Sequence, residues 1–334
     1  MQRTATPLTS VRFRSQPPNM NILITGSSGF IGYHLTKYLL EKGHNVTGLD
    51  NHNSYYNIDL KKLRNRKLQH KNFIFHKLDI NNLQSIEGSF DCAINLAAQA
   101  GVRSDKSLRK QYVESNINGF KNFLNFCEDR SIKKVIYASS SSVYCDQNRS
   151  KFDETDTALE PKSFYAETKL MNEKYAENFS LNNRKVVIGL RFFSVYGPYG
   201  RPDMAYYSFT ESILKNKKII LYNNGLMSRD MTYIDDIIIG INQVIKYMQN
   251  FDGSHHEIFN LGNGTPVTTS DLLGTIEKKL EKKALVIHKT SMNESKFTCA
   301  NLNKSKKHLK YLPKTKFNNG IDRFINWYLK YGKF

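Results

Sequence analysis

The sequence predicts an α/β fold built on a doubly wound parallel β-sheet, with a smaller α/β lobe towards the C-terminus. Short apolar runs alternate with amphipathic helical stretches through the first 193 of the 334 residues. Strands that are apolar on both faces are typical of parallel sheets covered by helices on both sides. A glycine-rich turn follows the first apolar run, and the alternation weakens after residue 194, which places the second lobe there.

Each element is indicated by a local pattern. Ile31, Leu35 and Leu39 have a spacing of four residues, which puts them on one face of the first helix. Further helices are expected around 107–129 and 165–180, and an amphipathic helix at 321–331 closes the chain. The predicted strands of the N-terminal part are 21–25, 46–50, 73–79, 91–98, 134–140 and 186–193.

The smaller lobe is expected at 194–334, with part of 229–262 returning to the first domain. Its turn signals are NNG at residue 223 and GNGTP at residue 262. Residues 1–19 contain three arginines, no acidic residue and no apolar core of a secretory signal. Two interpretations of this extension stay open: a transit-like organellar segment, or an over-extended start with Met20 as the true initiator. We exclude it from the fold.

The net charge of +19 is compatible with nucleic acid, an acidic membrane or an anionic small substrate as partner. The basic residues are dispersed, as in 61–67, 215–218 and 304–307, without interleaved aromatics. We interpret them as solvated surface and expect no nucleic-acid partner. No apolar run reaches the roughly 18 residues of a membrane span. The four scattered cysteines form no CxxC pair, so we expect reduced thiols, no metal site and a cytoplasmic protein.

The run GSSGFIG joins the first strand to the first helix. Gly26 permits the tight turn, Gly29 lets the backbone approach a pyrophosphate, and Gly32 lets helix and strand pack closely. The helix N-terminus adds free N–H groups and the positive end of the helix dipole. Asp50 ends the second strand, where a carboxylate binds a ribose diol and repels a 2′-phosphate. These features predict a Rossmann-type domain over 20–193 that prefers NAD to NADP.

Tyr165 and Lys169 are four residues apart, so on a helix they share a face. A nearby ammonium lowers the pKa of a phenol and makes it a usable base near neutral pH. The serine-rich run at 138–144 follows a predicted strand, whose carboxyl end faces the ligand crevice of a parallel sheet. A serine there can bind a substrate oxygen. On its own, however, each pattern also fits a chance pair or a polar turn.

Together, GSSGFIG, Asp50, NLAAQAGVR at 95–103, SSSSVY and YAETK resemble the extended short-chain dehydrogenase/reductase family, specifically its nucleotide-sugar epimerases. The resemblance implies one site with NAD as cofactor, in which Tyr165 and Ser140 are catalytic and Lys169 also contacts the nicotinamide ribose. Family members often form homodimers through two helices of each subunit, so a homodimer is expected. The cofactor-binding residues that the resemblance implies are Gly26, Gly29, Phe30, Ile31, Gly32, Asp50, Asp79, Ile80, Ala97, Asn116, Tyr165 and Lys169.

The segment 191–210, which contains GRPDMAY, resembles that of the UDP-glucuronate 4-epimerases, and RDMTYIDD and NLGNGTPV fit the same group. The resemblance implies a UDP-uronic acid substrate and epimerisation through transient oxidation at C4. Arg201 can bind the uronate carboxylate with its forked donor pair. The substrate-binding residues that are implied are Arg103, Ser141, Ser142, Ser194, Arg201 and Arg229.

Alternatives stay open on the same fold: a UDP-glucose or UDP-N-acetylhexosamine 4-epimerase, a UDP-glucuronate decarboxylase, or a non-catalytic NAD-binding sensor. Ser141 and Ser142 provide no acid where related dehydratases carry an Asp-Glu pair and decarboxylases carry TSEVYG. A neutral sugar would not need Arg201, and sensors commonly lose the tyrosine or lysine. Two residues depart from the family pattern: Cys145 stands in place of glycine and Ser194 in place of threonine.

Overall fold

The computed structural model describes residues 19–101, 108–144, 150–156, 159–290 and 296–332. The strands, in chain order, are β1 (Asn21–Thr25), β2 (Asn45–Leu49), β3 (Phe73–His76), β4 (Cys92–Asn95), β5 (Lys134–Ser140), β6 (Val186–Phe192), β7 (Ser194–Tyr196), β8 (Lys218–Tyr222), β9 (Ser228–Tyr233), β10 (His255–Leu261), β11 (Pro266–Thr268) and β12 (Leu285–Lys289). The α-helices are α1 (Phe30–Glu41), α2 (Ile58–Arg66), α3 (Arg109–Tyr112), α4 (Gly119–Asp129), α5 (Phe164–Asn183), α6 (Ala205–Leu214), α7 (Ile234–Tyr247), α8 (Thr269–Leu280), α9 (Asn303–Leu309) and α10 (Phe317–Tyr331).

Seven strands form one parallel sheet in the order β10-β6-β5-β4-β1-β2-β3. The predicted α/β fold with a doubly wound parallel sheet is confirmed. The strand order reverses between β1 and β4, and in such sheets ligands bind outside the carboxyl ends of the strands at that point. Strand β10 brings the chain back to this sheet from the region of the expected second lobe. The exact domain boundaries stay a prediction.

The two faces of the large sheet are covered by separate apolar cores. Ile22 and Ile24 of β1 point into the core that contains Leu35 of α1, whereas Leu23 between them points into the core that contains Phe120 of α4. All five side chains are at most 1% exposed. Successive side chains of a strand point to opposite faces, so a strand buried on both sides must be apolar throughout.

The rest of the chain adds two small sheets and a closing helix. Strands β11, β9 and β7 form a three-stranded sheet, and β12 pairs with β8. Helix α10 begins at Phe317, four residues before the predicted start, and its Phe324 packs edge-on against Tyr206 of α6 at 4.7 Å. Among the described residues, no helix is long and apolar enough to cross a bilayer.

The interpretation of the basic residues in 61–67 as solvated surface is wrong for two of them. Lys61 is 5% exposed and Arg64 is fully buried, whereas Arg66 on the same helix α2 is exposed. Buried cations require polar partners, because transfer of an unpaired charge out of water is strongly unfavourable. The partners of both side chains belong to the candidate active site.

The described cysteines are buried thiols. Cys92, Cys127 and Cys299 are free, and burial raises the pKa of Cys92 to about 12. Cys145 and residues 1–18 of the N-terminal extension lie outside the described residues. Across the described ranges, no group of three His, Cys, Asp or Glu side chains is placed to hold a metal ion.

Candidate active site

A cavity opens at the carboxyl ends of the central strands, where the sheet reverses its order. It brings together residues that the sequence analysis selected from segments far apart in the chain. The cavity is also lined by side chains that were not predicted from the sequence, among them Tyr55, Tyr56, Lys61, Ser139 and Met204. The selected residues that line it are Gly26, Gly29, Phe30, Ile31, Gly32, Asp50, Ile80, Ala97, Ser140, Tyr165, Lys169 and Arg201.

Other selected residues do not line this cavity. Asp79 caps the short 3-10 helix Ile80–Ser85, and its Oδ1 accepts a hydrogen bond from the Asn81 amide at 2.9 Å. Arg229 lies on β9 and donates to the Ser228 carbonyl at 3.0 Å. Ser141, Ser142 and Ser194 follow the ends of β5 and β6, and Asn116 lies in the π-helix Val113–Asn118. Arg103 lies outside the described residues.

The glycine loop forms a cradle that side chains would fill. Gly26 has a φ of +74°, and a Cβ there would lie 2.8 Å from the Ala97 amide nitrogen. A Cβ on Gly32 would lie 2.1 Å from the Gly26 carbonyl oxygen. Helix α1 starts directly after Gly29 without a side-chain cap, so its first N–H groups are available to an anion. The cradle therefore fits a dinucleotide pyrophosphate.

Asp50 follows β2 at the far end of this cradle and is 7% exposed. Its Oδ1 accepts a hydrogen bond from the His52 amide at 2.8 Å and lies 3.8 Å from Nζ of Lys61. Burial lowers the pKa of Lys61, and the Asp50 charge opposes this shift. Lys61 was missed because nothing in the helical pattern separates it from the exposed lysines beside it. The carboxylate is placed to accept hydrogen bonds from a ribose diol.

Tyr165 and Lys169 lie on the first turns of α5, which is capped by Ser163. Nζ of Lys169 donates to the Ala138 carbonyl at 2.9 Å and lies 5.9 Å from the centre of the Tyr165 ring. Burial lowers the pKa of Lys169 to about 8, and the negative charge of Glu173 on the next turn of α5 opposes this. The amine is therefore held beneath the phenol by the main chain of β5.

Burial also raises the pKa of Tyr165, because a phenolate loses hydration away from water. The positive charge of Arg201 and a hydrogen bond with Ser140 act in the opposite direction. The Ser140 hydroxyl also donates to Oγ of Ser142 at 3.1 Å. The sequence pattern predicted that the charge of Lys169 favours the Tyr165 phenolate. In the structure, the cation that lowers the pKa of Tyr165 is Arg201.

A π-helix supports α5 from the side. Oδ1 of Asn116 accepts a hydrogen bond from the Gln99 amide at 2.8 Å, and its Nδ2 donates to Thr168 Oγ1 at 3.0 Å. π-helical turns interrupt helices frequently at functional sites. Asn116 thus binds Thr168, the residue next to Lys169, and supports the lysine indirectly.

Arg201 forms an ion pair with Asp203 on the same loop. Its Nε donates to Oδ1 at 3.0 Å and its Nη2 to Oδ2 at 2.5 Å. The Tyr55 hydroxyl donates to the same carboxylate at 3.3 Å, and its ring lies 5.8 Å from the guanidinium carbon. Asp203 was not selected from the sequence, although it lies within the GRPDMAY motif that indicated Arg201. The ion pair occupies the Nε side of the guanidinium.

Comparison with known proteins finds a family model and several similar proteins. Residues 22–262 match the model of the NAD dependent epimerase/dehydratase family. The chain is 38% identical to UDP-glucuronate 4-epimerase 4 of Arabidopsis thaliana, over 96% of this chain and 78% of that protein. It is 38% identical to protein CapI of Staphylococcus aureus, over 94% of this chain and 100% of that protein.

Among solved structures, the fold is similar to that of UDP-glucuronic acid 4-epimerase from Bacillus cereus in complex with UDP-glucuronic acid and NAD. The TM-score is 0.86 at 31% sequence identity, over 93% of this chain and 99% of that chain. The matched region contains the glycine cradle, the Tyr165–Lys169 pair and the Arg201 loop. The chain is therefore a member of the NAD dependent epimerase/dehydratase family.

Proposed function

We propose that this protein is an NAD-dependent epimerase that interconverts UDP-glucuronate and UDP-galacturonate at C4. The observation that carries this proposal is the position of Arg201, whose guanidinium lines the same cavity as Tyr165, Lys169 and the glycine cradle. A fixed cation beside the reactive phenol suits a sugar with a carboxylate. The similar proteins of Arabidopsis thaliana and Bacillus cereus are named for this activity.

The chemistry follows from the neighbours of Tyr165. Bound at the glycine cradle, NAD supplies reversible hydride acceptance at C4 of the sugar. Tyr165 removes the proton of the C4 hydroxyl and later returns it, and Ser140 donates a hydrogen bond to the same sugar oxygen. Arg201 favours the phenolate through its charge. Because the two transfers cancel, neither proton nor hydride is lost to the solvent in a complete cycle.

Arg201 has a second role at the carboxylate. Asp203 occupies its Nε side, and the two terminal nitrogens form the other edge of the fork, which is suited to a second carboxylate. A 4-keto uronic acid is a β-keto acid and loses CO2 when the bond between C5 and the carboxyl carbon aligns with the carbonyl π system. A clamp on the carboxylate holds that bond out of alignment. Arg201 therefore binds the substrate and protects the intermediate.

The decisive experiment is product analysis after incubation of the purified protein with UDP-glucuronate and no added NAD. UDP-galacturonate without CO2 supports the epimerase and a retained cofactor together. Release of CO2 with a UDP-pentose product would make the protein a decarboxylase. No turnover even with added NAD, combined with tight NAD binding, would favour the sensor alternative.

Replacement of Arg201 by Met tests the assignment of the carboxylate. We expect KM for UDP-glucuronate to rise by about tenfold or more, since a forked charge-assisted contact is lost, and CO2 to become a detectable product. Arg66→Met, on the exposed face of α2, is the matched control and leaves both unchanged. An unchanged KM in the Arg201 variant would contradict the assignment.

We further infer a homodimer that forms through the outer faces of α4 and α5. Leu181 near the end of α5 is 61% exposed and offers an apolar contact to a second subunit at this face. The monomer has a mass of 38.6 kDa. Light scattering should give twice this mass, and Leu181→Glu should shift the protein towards the monomer.

A further inference from the structure

Arg64 on α2 is fully buried, although its neighbours in the sequence are basic surface residues. Its Nη1 donates to the Ser28 carbonyl at 3.0 Å and to the Tyr56 hydroxyl at 2.6 Å. Its Nε and Nη2 donate to the Tyr199 carbonyl at 3.1 and 2.7 Å, and Nη2 also donates to the Gly200 carbonyl at 3.0 Å. One guanidinium thus joins the glycine loop to the segment that leads into the carboxylate-binding loop.

A second, half-buried side chain holds the same segment. His34 lies on α1, the helix that follows the glycine loop, and its Nε2 is 2.9 Å from the Pro198 carbonyl oxygen. Burial lowers the pKa of His34 to about 4, so the imidazole is neutral near pH 7. A carbonyl can only accept a hydrogen bond, so Nε2 carries the proton. The carbonyls of residues 198, 199 and 200 are therefore all bound by side chains of α1 and α2.

The conformation of this segment needs such support. Tyr199 has a φ of +57°, in the left-handed region that is unfavourable for a residue with a Cβ. A Cβ on Gly200 would lie 1.8 Å from the Tyr206 hydroxyl, so the segment fits closely against α6. The Tyr199 ring packs against Trp327 at 4.9 Å. Because Arg201 follows directly, any relaxation of Tyr199 would move the guanidinium that faces the substrate.

We propose that Arg64 is a positioning residue that couples the NAD-binding loop to the recognition of the uronate carboxylate by Arg201. It holds the Ser28 and Gly200 carbonyls on one rigid fork, so that occupancy of the cradle and binding of the carboxylate stabilise each other. A uronate is thereby recognised better when the cofactor is present. The inference rests on the proposed function for the identity of the substrate.

The test compares Arg64→Met and Arg64→Lys with Arg66→Met, all in a Tyr165→Phe background that stops turnover. Calorimetry measures the affinity of each holoenzyme for UDP-glucuronate and for UDP-glucose, which lacks the carboxylate. We expect Arg64→Met to weaken UDP-glucuronate binding by about tenfold and UDP-glucose binding by less than about twofold. Arg64→Lys should lie between these limits, and Arg66→Met should change neither affinity.

Two further measurements separate positioning from general stability. In an Arg201→Met background the effect of Arg64→Met on UDP-glucuronate should disappear, because both changes remove the same contact. The rate at which bound NAD is released should fall when UDP-glucuronate is added to the Arg64 protein, and should not fall in the Arg64→Met protein. His34→Leu should change both measurements in the same direction as Arg64→Met. If Arg64→Met does not fold, His34→Leu and Arg64→Lys take its place in the test.

The outcomes distinguish the two proposals. Equal loss of affinity for both sugar nucleotides, or full additivity with Arg201→Met, would overturn the positioning role while the proposed function stands. A protein with native Arg64 and Arg201 that shows no preference for UDP-glucuronate over UDP-glucose, with no effect of Arg201→Met, would instead overturn the proposed function.

Discussion

Tyr165 stands between two opposing influences. Burial makes its phenolate unfavourable, whereas Arg201 and Ser140 favour it. The balance is useful for a group that must both take and return a proton, because a strongly stabilised phenolate would be a poor acid. Lys169, whose pKa burial lowers to about 8, loses its positive charge as the pH rises through that value. The pKa of Tyr165 is therefore set by burial on one side and by Arg201 and Ser140 on the other.

Replacement of Tyr165 by Phe removes the hydroxyl that takes and returns the proton, and it changes the side-chain volume little. We expect kcat to fall by about 10²- to 10⁴-fold while the affinity for UDP-glucuronate changes little, because the ring and its surroundings persist. Tyr175→Phe, on the same helix α5, should leave kcat unchanged. Product analysis of the epimerisation over time measures kcat of the two variants. A Tyr165→Phe protein with native kcat would refute the assignment.

The sequence was informative for some of these residues and silent for others. Tyr165, Lys169, Ser140 and Arg201 lie in motifs and meet in one cavity as expected. Arg64 could not be found this way, because two of its three carbonyl partners lie 135 and 136 positions further along the chain and the third lies 36 positions before it. Local periodicity reports burial against neighbouring elements, and it cannot identify a charge that is buried by a distant loop.

Helix α1 and the glycine loop act as one element, since Gly32 packs onto the loop that precedes it. A Cβ at Gly32 would lie 2.1 Å from the Gly26 carbonyl oxygen, so Gly32→Ala must displace the helix start. We expect a loss of about 2 kcal/mol or more in the free energy of unfolding and a large loss of NAD affinity. Urea unfolding and NAD titration measure the two effects.

Gly274 provides the matched control for this substitution. It lies inside α8, and a Cβ added there would have no heavy atom within 4 Å, so alanine fits without a clash. Gly274→Ala should stabilise the protein by about 0.5–1 kcal/mol, because alanine favours the helix and restricts the unfolded chain. Destabilisation by both substitutions to the same extent would show that the contact at Gly32 is not the cause.

The six predicted strands of the first domain recur in the structure and differ from it at their ends, whereas helix α2 was not predicted. The apolar runs 73–79 and 91–98 predicted longer strands than β3 and β4, which end at His76 and Asn95. The apolar residues beyond these ends, such as Leu78 and Ala97, line the cavity. Hydrophobicity marks removal from water, and it does not distinguish a strand interior from the wall of a ligand site.

The molecule as a whole is strongly basic, and histidines that are partly or fully removed from water make it sensitive to acid. Burial lowers the pKa values of His34, His44, His52 and His256, that of His34 to about 4. The unfolded chain takes up these protons near pH 6.5, before the folded protein does. Between the two values the unfolded state binds more protons, so the free energy of unfolding decreases as the pH falls.

The resulting prediction concerns global stability below neutral pH. His34 alone should account for a loss of about 1 kcal/mol between pH 7 and pH 5.5, and each added proton also increases the self-repulsion of a chain that already carries +19 charges. Glu154 and Asp230, whose pKa values burial raises, act in the opposite direction, but near their own lower pKa range. Urea unfolding at the two pH values should therefore show a smaller difference for His34→Gln than for the unmodified protein. Equal pH dependence of the two proteins would mean that the pKa of His34 is the same in the folded and the unfolded chain, and that burial of its imidazole does not lower it.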